Sequence, residues 1–401
     1  MKKKIAVVIG ASQDAIHTIQ SAKDAGVHVI ALDGNPNADG LRYADESVVV
    51  DISKKEDVCQ QVERIKPDFV LPVPIGRYLS TTGYVNDRFR LKGISYVATK
   101  LSTDKYLFHQ KLQKENLRNI QLHLVNKETE FEKLRIPYPA IMKPRFGSGS
   151  RDVFYVTNDV EGRVAFQKIN HTSEDFVLEE VVQGEEYGVD GAVINGKLQI
   201  TLLRKKLLTP LPIRQAIGYF SVPKIGEENQ KLWMVVTEYL RKVVGVLEYD
   251  NCLIHADIIV NEKGAFVIEI APRPSGHNLH SVFVPECTGI DIAKEYISFL
   301  MEKECEFEVG NIPCMLIRFF DFENGVACKV PQLEGLQRSG VCNVKRWDCR
   351  IKVGDRMEKV VDGHSIVGRG FFVIEGQDEA DLLRQSEWIL KQFECSEKDF
   401  E

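Results

Sequence analysis

The first hundred residues alternate short apolar runs with segments of helical spacing, and few folds accommodate that alternation. Residues 4–10 are a nearly continuous apolar run ending in Gly10. Residues 14–25 have helical spacing and stop at Gly26. Residues 28–33 read as a second buried strand, closed by Gly34-Asn35-Pro36. A strand over 47–51, a helix over 54–65 and a strand over 68–73 repeat the pattern. Buried strands joined by helices predict a doubly wound parallel sheet with right-handed crossovers. The sequence after the first strand is Gly10-Ala11-Ser12-Gln13-Asp14, so the dinucleotide fingerprint G-x-G-x-x-G is missing. This part of the chain is expected to help hold a substrate and to bind no dinucleotide.

The texture changes near residue 103. Thr103 or Ser102 is placed to cap a helix over 105–115. Alternating, antiparallel-looking strands follow at 140–144, 153–156, 176–181 and 187–200. A long amphipathic helix is expected over 227–244, with Gly245 as its stop. Two further strands lie at 252–261 and 265–271. From about residue 312 come short glycine-punctuated strands and a last helix over 379–393. The expected class is therefore α/β followed by α+β.

Charge and composition narrow the partners. The formal net charge is −6, so there is no basic excess to neutralise nucleic-acid phosphates or an anionic membrane. No run approaches the ~18 apolar residues of a membrane span. The lysines before residues 5–11 imitate a signal peptide, but the run is short, no credible cleavage site follows, and a first strand explains it better. Nine cysteines without a C-x-x-C pair suggest free thiols in a reducing cytoplasm.

Four stretches bear on chemistry. Gly191 to Lys197 nearly matches a phosphate loop but lacks the closing Ser or Thr. Asn195-Gly196 in its middle signals a type I′ hairpin instead. Lys143-Pro144-Arg145-Phe146-Gly147-Ser148-Gly149-Ser150 puts a lysine at a strand end before small residues whose N–H groups could fold over a polyphosphate. Alone, a surface hairpin with two glycines explains it equally well. In the stretch 176–186, an apolar strand delivers Glu179 and Glu180, groups able to bond an adenine amino group or ribose hydroxyls, or simply a solvated acidic loop. Finally, two apolar strands flank Glu262-Lys263-Gly264. If the loop centres on Lys263, Asp257 lies opposite Glu269 on one face. Like charges so placed repel, unless both face water or the register differs by one. A hard cation with phosphate oxygens would suit them. Arg273 follows, placed to stabilise phosphoryl charge.

The order and spacing of these pieces resemble the ATP-grasp superfamily. The resemblance runs from Lys105 to about residue 300. It implies that Lys105 and Lys143 contact ATP, that Gly147, Ser148, Gly149 and Ser150 cover its phosphates, and that Glu179, Glu180 and Val182 meet the adenine. Glu186 would hold the ribose, Asp257 and Glu269 would be metal ligands, and Arg273 would be catalytic. Ser275, Gly276 and His277 become candidate substrate contacts. Many members carry an asparagine two residues after the second acid, where this chain has Ala271. The Arg273-to-His277 segment and the stretch from Gly363 to Phe371 look most like the carboxylate–amine branch, which includes L-amino acid ligases. The first domain is similar to the one that precedes ATP-grasp in biotin carboxylase and purine-pathway enzymes.

The resemblance implies an N-terminal doubly wound domain at 1–102 and a two-part ATP-grasp fold at 103–300. Its small lobe would cover about 125–183 and its large lobe begin near 184. A C-terminal region at 301–401 would pack on it. The implied activity is a cytoplasmic, ADP-forming ligase using ATP and Mg²⁺, or Mn²⁺ in its place. It would phosphorylate a small carboxylate and condense it with an amine, with no nucleic acid or membrane partner; a homodimer fits the resemblance. The rivals are a bicarbonate-activating carboxylase and an ATP-binding protein without turnover.

Overall fold

The computed structural model describes residues 3–135, 137–147, 152–169, 174–211, 213–361 and 364–396. Ser148, Gly149 and Ser150 of the expected phosphate loop, and Gly363, lie outside the described residues.

The strand–helix alternation of the first hundred residues builds a parallel sheet. Its strands are β1 (Ile5–Ile9), β2 (His28–Asp33), β3 (Glu46–Val49) and β4 (Phe69–Leu71), in the order β3-β2-β1-β4. Val7 stands beside Ile30 on one side and Val70 on the other, all in parallel register. Successive side chains leave a strand on opposite faces, and both faces here are covered. Ala6, Val8, Val29 and Ala31 pack with Ile19 and Ala22 of the helix Ile16–Asp24. Val7, Ile9, Ile30 and Leu32 pack with Val58 and Val62 of the helix Lys55–Ile65. That two-sided burial explains why the strands read as continuous apolar runs.

A small antiparallel sheet follows, made of β5 (Leu122–Val125), β6 (Ala140–Pro144), β7 (Phe154–Val156) and β8 (Phe176–Glu180), in the order β5-β8-β6-β7. One face packs Ala140, Met142, Phe176 and Leu178 against Ala165 of the helix Asp159–Ile169. Alternation puts Lys143 and Glu179 on the other face.

The remaining strands are β9 (Glu185–Ile194), β10 (Lys197–Leu208), β11 (Ala216–Ser221), β12 (Cys252–Asn261), β13 (Gly264–Ala271), β14 (Met315–Phe319), β15 (Gly325–Lys329), β16 (Val344–Cys349), β17 (Arg356–Met357), β18 (Gly370–Glu375) and β19 (Glu394–Ser396). Eight of them form one sheet, ordered β13-β12-β9-β10-β11-β14-β18-β16, and β17-β15-β19 form another. The C-terminal region thus does more than pack on its neighbour, because three of its strands extend the large sheet. The segment around Gly191 to Lys197 is the expected hairpin. Ile194 pairs with Lys197, and Asn195 and Gly196 both have positive φ, as a type I′ turn requires.

Three local expectations need correction. The helix Lys105–Lys114 is capped by Asp104, not by Thr103 or Ser102; the Asp104 carboxylate accepts from the N–H groups of Tyr106 and Leu107. Ser102 and Thr103 belong to the preceding helix, Tyr96–Thr103. The long helix, Glu227–Val246, runs straight through Gly245, and the left-handed residue beyond it is Glu248. The loop between β12 and β13 is a two-residue turn, with Asn261 paired to Gly264.

Candidate active site

That shorter turn would set Asp257 opposite Ile268. A β-bulge between Asp257 and Ile258 shifts the register by one residue, and Asp257 pairs with Glu269 after all. Paired residues point to one face of a sheet. Glu269, Asp257, Gly188 and Arg204 therefore form a row across β13, β12, β9 and β10. Gly188 leaves that row open: a Cβ there would lie 2.5 Å from Nη1 of Arg204. Into this space the fully buried Arg204 extends. Its Nε donates to Asp190 at 2.6 Å, Nη2 lies 3.3 Å from Nδ1 of His255, and its guanidinium sits 4.8 Å over the Tyr219 ring.

The carboxylates of the row differ in their surroundings. Asp257 Oδ2 lies 3.0 Å from the ammonium of Lys206, which also reaches Glu186 at 3.5 Å. Burial opposes ionisation of Asp257, but Lys206 and His255 outweigh it and hold its pKa below the usual value. Its other oxygen is buried without a hydrogen-bond partner among the described residues. Glu269 makes no hydrogen bond or ion pair among the described residues. Two facing carboxylates, one with a stranded oxygen and one unengaged, are hard oxygen donors that fit Mg²⁺ or Mn²⁺. Among the described residues no third His, Cys, Asp or Glu completes a metal set. A cation here would take its other ligands from phosphate oxygens and water.

Glu269 opens onto a cavity of about 340 Å³ that Lys105, Gly147, Ala271 and Arg273 also line. Lys105 arrives from the N-terminus of its helix, and its ammonium donates to the carbonyl of Gly147 at 2.7 Å. Arg145 ties the two segments together: it pairs with Asp104 at 2.7 Å and with Asp175 at 3.1 Å. The Arg273 guanidinium donates to the carbonyl of Pro274 at 2.8 Å. Neither cation forms an ion pair among the described residues, and burial lowers the pKa of both. Two half-buried cations with no ion-pair partner among the described residues, beside a carboxylate row, make a receptor for a polyanion with its metal.

Lys143 and Glu179 form a different unit beside this cavity. Lys143 Nζ lies 2.6 Å from Oε1 of Glu179, and Arg118 and His109 hold the other oxygen at 3.1 and 2.9 Å. Burial opposes ionisation of Glu179, but Lys143, His109 and Arg118 together hold its pKa well below the carboxylate range. Burial, reinforced by Arg118, pushes His109 down to about 4. Glu179 is thereby engaged on both oxygens, which leaves its carboxylate a poor adenine contact.

The other expected residues are dispersed. Glu180 accepts from the N–H of Gln121 at 3.1 Å, and Val182 lies in the crossover from β8 to β9. Glu186 pairs with Arg214 at 2.5 Å. Ser275 is fully buried and its hydroxyl has no partner among the described residues, while Gly276 abuts Asp14 and His277 lines a second cavity. Sequence reasoning missed Lys206, Arg204, Asp190, Arg118 and His109. The alternation of Arg204 and Lys206 along one strand was a usable signal; Arg118, in a loop, offered none.

Residues 136–281 match the family model of the ATP-grasp domain. Among curated proteins, the chain is 22% identical over 242 residues to a formate-dependent phosphoribosylglycinamide formyltransferase of Prochlorococcus marinus, covering 58% of this chain and 56% of that protein. It is 23% identical over 199 residues to dapdiamide A synthase of Enterobacter agglomerans, covering 46% and 45%. The chain thus spans about half the length of these relatives. Among solved structures, an L-amino acid ligase from Bacillus licheniformis superposes with a TM-score of 0.80 at 18% identity, covering 98% of this chain and 99% of that one. The two share a fold.

Proposed function

We propose, on the premise that residues 136–281 of this chain form an ATP-grasp domain, that it is an ADP-forming ligase. It would phosphorylate a carboxylate and join the acyl group to an amine, with an amino acid among the candidate substrates. One observation carries the reading: Lys105 and Arg273, two cations without ion-pair partners among the described residues, share a cavity with Glu269, which faces Asp257.

In this reading Lys105 and Lys143 bind the phosphates of ATP. Gly147 begins the segment to which the covering of those phosphates is assigned. The crossover at Glu180 and Val182 offers its backbone to the purine edge, and Glu186 faces the ribose. Glu179 acts through Lys143, whose ammonium it orients. Asp257 and Glu269 hold Mg²⁺, which neutralises phosphate charge when bound. Arg273 orients the substrate carboxylate so that one of its oxygens attacks the γ-phosphorus and ADP departs. The amine nitrogen then attacks the acyl carbon of the acylphosphate, inorganic phosphate leaves, and the amine gives up a proton. Arg273 stabilises the oxyanion formed in that second step. Positioning and charge neutralisation supply most of the rate.

The test is phosphate release with ATP and Mg²⁺ across an array of small carboxylates, bicarbonate included, each with and without amines. The reading requires release that depends on one carboxylate. ATP binding with no release under any pair would instead support a binding protein, and release on bicarbonate alone a carboxylase.

A further inference from the structure

The loop between β10 and β11 places an arginine on Glu186, the acid that faces the ribose in the ligase reading. The loop is closed at its neck. The Thr209 N–H donates to the Gln215 carbonyl at 2.8 Å, and the Gln215 N–H donates to the Thr209 hydroxyl at 2.9 Å. Just inside that neck Arg214 stands in the left-handed region, at φ 47°. Residues other than glycine enter that region at a cost, which points to a use for the side chain. Its Nε and Nη2 both donate to Oε1 of Glu186, at 3.2 and 2.5 Å. We infer that Arg214 is a positioning residue that sets sugar specificity for the nucleotide: by fixing Oε1 it keeps Oε2 free for a ribose hydroxyl. The inference rests on the ligase reading, because that reading puts the ribose at Glu186.

The place of Glu186 in the sheet suits a sugar acid. It lies two residues before Gly188 on β9, so it shares the face of the row that holds Asp257 and Glu269. Two residues of rise, about 7 Å, separate it from that row. One nucleotide can therefore lie along this face, with its sugar at Glu186 and its phosphates at the two facing acids.

Two cations compete for this carboxylate, and their geometry decides which oxygen stays open. The Glu186 side chain is only 14% exposed, and a charge so withdrawn from water settles on a cation. Oε2 lies 3.5 Å from the Lys206 ammonium, which sits closer to Asp257, at 3.0 Å. Arg214 wins the contest with two direct bonds to the other oxygen. Without Arg214, Glu186 would turn Oε2 onto Lys206, and the ribose would lose its acceptor. Arg214 itself is 38% exposed, so the pair adds little to the stability of the fold. Its effect falls on the orientation of Glu186.

Calorimetry on the full chain with Mg²⁺ tests this, using ATP, 2′-deoxy-ATP and 3′-deoxy-ATP as probes. Wild type should bind at least one deoxy nucleotide roughly tenfold or more weaker than ATP, the scale of one hydrogen bond to a charged group. Arg214→Gln should bring ATP down to the affinity of that analogue, leaving a preference within about twofold. Arg214→Lys, which keeps the charge, should restore part of it. Both ligand-free variants should melt with wild type, because an exposed pair contributes little. A preference that survives in Arg214→Gln, or one lost in both variants together with a large fall in melting temperature, would overturn the inference. Glu186→Gln separates the arginine from the acid. If it erases the preference and Arg214→Gln does not, Glu186 holds the ribose unaided and only the role of Arg214 falls. If wild type shows no preference, or Glu186→Gln keeps it, the ribose does not sit at Glu186 and both roles fall. An Arg214-dependent preference in a chain that releases no ADP with any carboxylate would sink the ligase and leave the sugar site standing.

Discussion

Lys143 and Glu179 lie 2.6 Å apart on the face of the small sheet turned away from its core, both buried. A lysine so held has a structural role beside the ATP contact proposed for it. Lys143→Met leaves the Glu179 carboxylate buried with Arg118 and His109 alone. Removing one partner of a buried pair costs roughly 3 kcal/mol or more. Urea denaturation of the ligand-free protein should show that loss, and calorimetry should show weaker ATP binding. Weaker binding at unchanged stability would mean that Glu179 does not depend on Lys143.

His109 ties the same cluster to pH. Its pKa is about 4 in the folded chain against 6.5 for a free side chain. Between those values the unfolded state binds more protons, so stability falls as pH drops from about 6.5 to about 4. Glu179 adds to the loss below its ordinary value of 4.5, where the unfolded carboxyl is protonated and the folded one, held well below that range, is not. His109→Gln should flatten the stability curve by up to about 1.4 kcal/mol per pH unit in the upper window. An unchanged slope would mean that His109 titrates normally.

Asp257 and Glu269 face each other but should answer differently to neutralisation. Glu269 makes no hydrogen bond or ion pair among the described residues, so Glu269→Gln trades its repulsion of Asp257 against a longer-range attraction to Lys105 and Arg273. The ligand-free protein should keep its stability or gain about 0.2–1 kcal/mol. Asp257 engages Lys206, so Asp257→Asn should cost about 1–3 kcal/mol. Both should lower turnover by orders of magnitude if the pair holds the metal. Thermal melting beside steady-state kinetics checks this. Glu269→Gln melting well below wild type with near-normal turnover would remove the metal assignment.

Arg273 offers a similar contrast. It is half-buried and has no ion-pair partner among the described residues, so Arg273→Met should change stability little. Turnover should fall by roughly 10²–10³, the scale for losing one group that stabilises an oxyanion. A large loss of stability with modest loss of rate would make it a structural arginine.

Where structure follows from local pattern, the sequence was readable. Val7 and Ile30 are buried because both faces of the first sheet are covered, and unbroken apolar runs say so. Asn195-Gly196 folds as a type I′ turn because both residues tolerate positive φ. Two geometries set Asp257 opposite Glu269: a three-residue loop centred on Lys263 would do so, and the two-residue turn with its bulge does. Gly245 failed as a stop because helix Glu227–Val246 has apolar residues to bury on both sides of it, and packing outweighs one glycine's propensity. The joining of β14 and β18 to the large sheet could not be read, because Tyr219 meets Ile317 nearly a hundred residues away and no local signal specifies such a pair. Arg118 was invisible for the same reason: its partner Glu179 is 61 residues distant.

The central claim is that a carboxylate is activated by phosphorylation. It is tested most directly by labelling the substrate carboxylate with heavy oxygen and following the label by mass spectrometry in a reaction with Mg²⁺-ATP and an amine. The account predicts ADP and phosphate in equal amounts, with one labelled oxygen carried from the carboxylate into the phosphate. Label appearing in AMP, with pyrophosphate as co-product, would contradict it.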